Sequence, residues 1–137
     1  MIYSQEYDVA KDDFVAAGEV SAGIKNKLKK MGVDPILIRK IAIASYEAEI
    51  NMIIHSFGGQ MTLNIDDDAI EIVCQDVGPG IPDIDLAMKE GYSTASDTVR
   101  EMGFGAGMGL PNINKNSDNM QIESSPAGTK LTLKFKM

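Results

Sequence analysis

The stretch Met61–Asp76, MTLNIDDDAIEIVCQD, decides the fold. Met61, Leu63 and Ile65 alternate with polar residues, Asp66-Asp67-Asp68 reads as a turn, and Ile70, Ile72 and Cys74 then alternate with Glu71, Val73 and Gln75. A period of two predicts a hairpin whose strands each present one inward face. What precedes it runs on a helical period. Phe14, Ala17, Ser21, Ile24, Leu28 and Met31 recur every three or four residues, predicting a helix that follows Asp12 and Asp13 and stops at Gly32. A second helix opens on Asp34 as N-cap with Pro35 in its first turn, and runs to about Ser56, before Gly58-Gly59. Leu37, Ile41, Ala44, Ala48 and Met52 form its apolar stripe.

After the hairpin, a short helix is predicted from Asp83 to Glu90, closed by Gly91, and another from near Pro111. Between them Tyr92 to Met108 is polar, glycine-rich and too long for a routine connection, which marks it as a functional or a disordered loop. Two more strands, Asn119 to Ser124 and Thr129 to Lys136, flank the turn Ser125-Pro126-Ala127-Gly128, and Leu131, Leu133 and Phe135 share a face. Helices plus hairpins without strict βαβ alternation predict an α+β fold: a two-layer α/β sandwich, its mixed, mostly antiparallel sheet carrying helices on one face. No repeat or Pro/Gly/Ser-rich linker divides the chain, so residues 1–137 read as a single domain.

Composition narrows the function. The 137 residues carry 13 Lys+Arg against 20 Asp+Glu, a formal charge of −7, with 44% apolar and 24% charged residues. That balance describes a folded domain with a core. It argues against nucleic acid, because neutralising phosphates takes clustered cations and the only dense basic run is Lys25, Lys27, Lys29 and Lys30. The lone Cys74 makes no internal disulfide, and Met1 to Ala10 lacks the build of a signal peptide. A cytoplasmic protein with no membrane segment is expected.

Three segments carry candidate chemistry. On the second helix, spacing of four puts Glu47, Asn51 and His55 in one row, where a carboxylate, an amide and an imidazole would line a cleft; alone, such a row reads first as a solvated helix face, with His55 equally a core-edge histidine. Asp76-Val-Gly78-Pro-Gly80 follows a strand, and Asp76 continues the stripe of Ile70, Ile72 and Cys74. It therefore points toward the helix layer, where a carboxylate is costly without a hydrogen-bond donor such as a ligand amino group. Gly103-Phe-Gly105-Ala-Gly107-Met-Gly109, followed by Leu110-Pro111-Asn112 and a helix, lets backbone N–H groups approach an anion at a helix N-terminus. It is neither a P-loop nor a dinucleotide fingerprint.

In order, Glu-xxx-Asn on a helix, Asp-x-Gly-x-Gly after a strand, a glycine-rich loop before a helix, and Gly128-Thr129 opening a late strand resemble the four ATP-binding boxes of the GHKL, or Bergerat-fold, ATPases. The resemblance spans roughly residues 40 to 130, and Thr129 shares parity with Leu131, Leu133 and Phe135. Asp-x-Gly-Pro-Gly-Ile-Pro-Asp-Ile, with the later Glu90-Gly-Tyr-Ser-Thr94, is similar to the anti-sigma factor and switch-kinase branch, the serine/threonine kinases of bacterial partner-switching systems. Gly-Ala-Gly-Met-Gly-Leu-Pro is especially like the kinases that act on stressosome scaffold proteins.

The resemblance implies ATP and Mg²⁺ as cofactors and a STAS-domain antagonist as protein substrate. A sigma factor or phosphatase activator would be a further target, and a homodimer is among the assemblies it allows. It implies Glu47 as general base and Asn51 as Mg²⁺ ligand. Asp76 would accept from the adenine amino group, with Gly78, Gly80, Ile81 and Thr129 around the base and His55 beside the nucleotide. Gly103, Gly105, Gly107, Met108, Gly109 and Leu110 would wrap the phosphates. One position departs from the pattern: many of these kinases carry an arginine where this chain has Gly105, and the nearest cations are Arg100 and Lys115. The departure motivates an alternative, a nucleotide-gated binding module that sequesters or activates a partner without phosphorylating it. The catalytic domain of a histidine kinase is disfavoured, because the one histidine, His55, lies inside the proposed ATP helix.

Overall fold

The computed structural model describes residues 3–10, 17–78 and 109–137. Its elements are β1 (Tyr3–Val9), α1 (Glu19–Lys30), α2 (Pro35–His55), β2 (Gly59–Ile65), β3 (Ala69–Asp76), α3 (Gly109–Asn116), β4 (Asn119–Ser125) and β5 (Gly128–Lys136). The strands form one sheet in the order β1-β2-β3-β5-β4. Every described pairing is antiparallel, where the sequence suggested a mixed sheet. The predicted helix over 83–90 and the loop over 92–108 lie outside the described residues, as do Asp12, Asp13 and Phe14.

Alternation in each strand becomes rows across the sheet. Ile65, Ile70 and Phe135 are mutual partners in one row, Leu63, Ile72, Leu133 and Met120 in the next, and Met61, Cys74, Leu131 and Ile122 in a third. All but Met120 and Ile122, on the edge strand, are buried. These rows face the helices. The opposite face is polar, with Ser4 donating to Asn64 at 2.8 Å, Asn64 to Glu71 at 3.3 Å and Gln60 to Asp8 at 3.2 Å across the strands. The strand β1 was not anticipated from sequence, because Gln5 interrupts the apolar alternation of Tyr3, Tyr7 and Val9.

In the helix layer, α2 lies between α1 and α3 and above the sheet. Its first turn follows expectation: the Asp34 carboxylate accepts from the Ile36 N–H at 2.8 Å, with Pro35 directly after it. Neighbours on several sides bury more of α2 than one stripe. Ile41, Ala44, Ala48 and Met52 are buried as predicted, Ile38, Ile50 and Ile53 join them, and Leu37 is only half-buried. No described helix is long and apolar enough to cross a membrane.

The start of α1 differs from the sequence reading. The helix begins at Glu19 rather than after Asp13, because Gly18 adopts a left-handed conformation (φ +95°) and Ala17 belongs to the preceding turn. No side chain within α1 caps it. Glu49 of α2 does so instead: its Oε2 accepts from the N–H groups of Gly18 (3.0 Å) and Val20 (3.3 Å), and its Oε1 from Ser21 (3.0 Å). Glu49 is 1% exposed. Burying a carboxylate costs several kcal/mol, and three N–H donors at the positive end of a helix offset it. Glu49→Ala would leave those donors unsatisfied. It is expected to lower unfolding stability by about 3 kcal/mol or more, read from urea denaturation, with Glu49→Gln intermediate because its amide keeps only one acceptor oxygen.

Candidate functional site

Beyond the three apolar rows the sheet ends in a fourth, where polar residues join Val9 and Gly59. Val9 pairs with Gly59 and Gly59 with Asp76, while on the far side Ser124 pairs with Thr129. Asp76 Oδ1 accepts from the Thr129 backbone N–H at 2.8 Å, joining the two halves, and the hydroxyls of Thr129 and Ser124 lie 2.9 Å apart. Among the described residues Asp76 Oδ2 takes no hydrogen bond. The carboxylate thus sits half-buried at the core edge with one oxygen left for an incoming donor.

Close backbone approach holds this end together. The Gly78 N–H donates to Ala127 O at 2.7 Å, and a Cβ on Gly78 would fall 2.4 Å from Pro126 O. A Cβ on Gly128 would fall 2.2 Å from Asp76 O. Glycine at both positions is therefore required by the fit between the end of β3 and the β4–β5 turn, a reason separate from any ligand. Gly59 serves the helix side: a Cβ there would meet Gln75 O at 2.1 Å and the Met52 methyl at 2.9 Å. Its bareness lets the Met52 side chain of α2 pack against this end of the sheet, and Met52 follows Asn51.

Glu47 and Asn51 stand one turn apart on α2, both half-buried. The Asn112 side chain, from α3, faces the Glu47 carboxylate as a donor. Burial raises the Glu47 carboxyl above its ordinary value, and the Asn112 amide partly offsets the rise. Asp76 behaves alike, raised first by burial and lowered by the Thr129 N–H. Two half-buried carboxylates of raised proton affinity, one on the helix layer and one on the sheet floor, are candidates for chemistry or polar recognition. Nearby Cys74 offers no nucleophile, its thiol pushed up to about 12 by burial and then by the charge of Asp76.

Of the other candidates, Gly109 opens α3, and Leu110 places its side chain in the core, so it has only backbone to offer a ligand. Gly80, Ile81, Gly103, Gly105, Gly107 and Met108, and the side chain of His55, lie outside the described residues. Asn112 was missed from sequence as a site residue; its only signal was its place just after Leu110-Pro111. Among the described residues no cluster of three His, Cys, Asp or Glu side chains is placed to hold a metal. A cation here would rely on Asn51 with ligand oxygens and water, a shell that suits Mg²⁺.

Comparison with known proteins agrees with this geometry. Residues 39–137 match the family described as histidine kinase-, DNA gyrase B-, and HSP90-like ATPase. The chain belongs to that family, and ATP is the nucleotide the family implies. It is 29% identical over 116 residues, 82% of this chain and 79% of the relative, to the serine/threonine-protein kinase RsbT of Bacillus subtilis. It is 35% identical over 112 residues, 76% of this chain and 75% of the relative, to the anti-sigma F factor of Clostridium acetobutylicum. Two solved structures share the fold. One contains the RsbU and RsbW domains of Rv1364c from Mycobacterium tuberculosis, with a TM-score of 0.65 and 18% identity over 97% of this chain and 31% of that one. The other is the SiaB-SiaC complex from Pseudomonas aeruginosa, with a TM-score of 0.61 and 12% identity over 96% of this chain and 88% of that one.

Asp76→Asn tests the floor of the site. The amide keeps an acceptor for the Thr129 N–H and removes a buried charge, so the melting temperature without ligand is expected to hold or rise. The raised carboxyl makes the wild type lose stability as pH climbs through the folded pKa, and the variant lacks that loss. The upward shift of melting temperature on adding ATP should disappear, because with its oxygen on the Thr129 N–H the amide presents an NH2 donor where the carboxylate presents an acceptor to a ligand amino group.

Proposed function

We propose that this chain is a single ATP-binding domain over residues 1–137 acting as a Mg²⁺-dependent serine/threonine protein kinase in a bacterial partner-switching system. Its substrate is a STAS-domain antagonist, and its further target is a sigma factor or a phosphatase activator. The observation that carries the reading is the Glu47–Asn112 pair: a half-buried carboxylate of raised proton affinity, oriented by a neighbouring helix, one turn from an amide. That is the environment of a general base. The RsbT and anti-sigma F relatives, similar over most of their lengths, support the partner-switching setting.

In this reading Asp76 and Thr129 would receive the adenine edge, and Gly78, Gly80 and Ile81 are the residues assigned to the base. ATP, when bound, would supply the transferable phosphoryl group, and Asn51 would hold the Mg²⁺ that neutralises it. Gly103, Gly105, Gly107, Met108, Gly109 and Leu110 are assigned to the phosphates and His55 to the nucleotide, where backbone N–H groups would stabilise the transferring group. Glu47 takes the proton from the attacking serine or threonine hydroxyl, and Asn112 fixes the carboxylate that does so. With Gly105 in place of an arginine, charge neutralisation falls to Mg²⁺ and backbone N–H groups.

The test is transfer of labelled phosphate from Mg-ATP to a purified STAS-domain protein encoded near this chain. Intact nucleotide binding with no label on any serine or threonine would sink the kinase reading in favour of the nucleotide-gated module. Glu47→Ala is expected to cut the transfer rate by about 10²-fold or more while ATP affinity survives. The pH profile adds an independent measurement. Glu47 must be ionised to accept a proton, so kcat/KM falls as pH drops through its folded pKa, which lies above the usual 4.5. Removing the Asn112 bond in Asn112→Ala takes away the contact that lowers this pKa and should move the acid limb to higher pH.

A further inference from the structure

The helix layer carries a charge opposite to that of the chain. Residues 25–40 hold six Lys/Arg and the single acid Asp34, a local charge of +5 in a chain of −7, so the remaining residues carry −12. Asp34 does little to neutralise the patch, since its carboxylate is engaged with the Ile36 N–H. Lys27 leans over the Tyr3 ring, 4.9 Å from its centroid. Among the described residues Lys29, Lys30, Arg39 and Lys40 have no carboxylate within ion-pair distance, and all four are exposed.

These cations surround apolar side chains. Ile36, 71% exposed, and Ile43 stand out from α2 on either side of Arg39 and Lys40, and Met31 is exposed at the end of α1. The link between the helices is tight: Gly32 turns at φ +76°, and the N–H groups of Met31, Gly32 and Val33 donate back to Lys27, Lys29 and Leu28. The patch is therefore presented by rigid elements. Spacing matters too, because residues 36, 40, 43 and 47 repeat at four, three and four along one face of α2. The surface leads over roughly 16 Å to Glu47.

We propose that this outer face of α1 and α2 is the docking surface for the phosphoacceptor protein, and that the partner meets it with an acidic, apolar-centred surface. The inference rests on the kinase reading and adds the chemistry of partner recognition to it. Exposed Arg39 and Met31 are residue types enriched at protein interfaces, and a lysine-rich rim around exposed isoleucines complements an acidic surface with an apolar centre. A second copy joined through a two-fold axis would set +5 against +5. A bilayer would find isolated isoleucines rather than a continuous apolar face.

The experiment measures affinity for the purified STAS-domain partner, by calorimetry in Mg-ATP and Mg-ADP at two salt concentrations, alongside phosphate transfer. Arg39→Glu/Lys40→Glu and Ile36→Ser/Ile43→Ser are exposed-surface changes. Each is expected to weaken binding about tenfold or more, the charge reversal also flattening the salt dependence. Lys130→Glu/Lys134→Glu, on the opposite sheet face, should change affinity less than twofold. Wild-type transfer with unchanged partner affinity in both helix variants overturns the docking inference and leaves the kinase standing. Failure of the wild type either to bind or to phosphorylate the partner overturns both. Binding to phosphatidylglycerol vesicles, or self-association without partner, that the same changes abolish would assign the face to a membrane or a second copy and also overturn it.

Discussion

The parity of β3 is the constraint on which the rest depends. Ile70, Ile72 and Cys74 are locked into the core by partners on both sides, so the residue two further on must face the helices as well. That residue is Asp76. A one-residue slip would turn the carboxylate to the solvent face and expose three apolar side chains with it. The stability of the apolar rows therefore enforces the placement of a polar group that would not choose its position. The Thr129 N–H meets one of its oxygens, and β5 arrives there because the same rows set its register.

Three carboxylates in this half of the molecule show how position separates structure from chemistry. Glu47 and Glu49 stand two residues apart on α2, which turns their side chains by about 200°. Glu49 points into the start of α1, takes three N–H groups and is fully committed to the fold. Glu47 points toward α3, meets the Asn112 amide there and remains half-buried with raised proton affinity. Asp76 resembles Glu47 in that balance. A group held by fewer partners than its burial demands is poised to respond to a ligand or a proton, whereas a saturated one is not.

Much of this was legible in the sequence, because it follows from periodicity. The β2–β3 hairpin, the Asp34 cap, the β4–β5 turn and the inward direction of Asp76 are short-range consequences of alternation and turn chemistry. What was not legible depends on distant partners. The start of α1 is fixed by a carboxylate from another helix, which the apolar spacing within α1 does not reveal. The strand β1 exists because β2 offers an edge to pair with, despite Gln5 in the middle of its pattern. Asn112 matters because α3 lies against α2, a contact that no spacing within either helix reveals.

Glycine shows the same division. Gly78 first reads as a place where backbone approaches a ligand and Gly128 as the end of a turn, and the structure supplies another need, since a side chain at either would strike the backbone of the opposite segment. The two needs are compatible. The β4–β5 turn closes on the end of β3 only with both side chains absent, and that closure brings the Thr129 N–H to Asp76. The glycines thus act on the site through the backbone fit, and the carboxylate they help to position is the group that a ligand would meet.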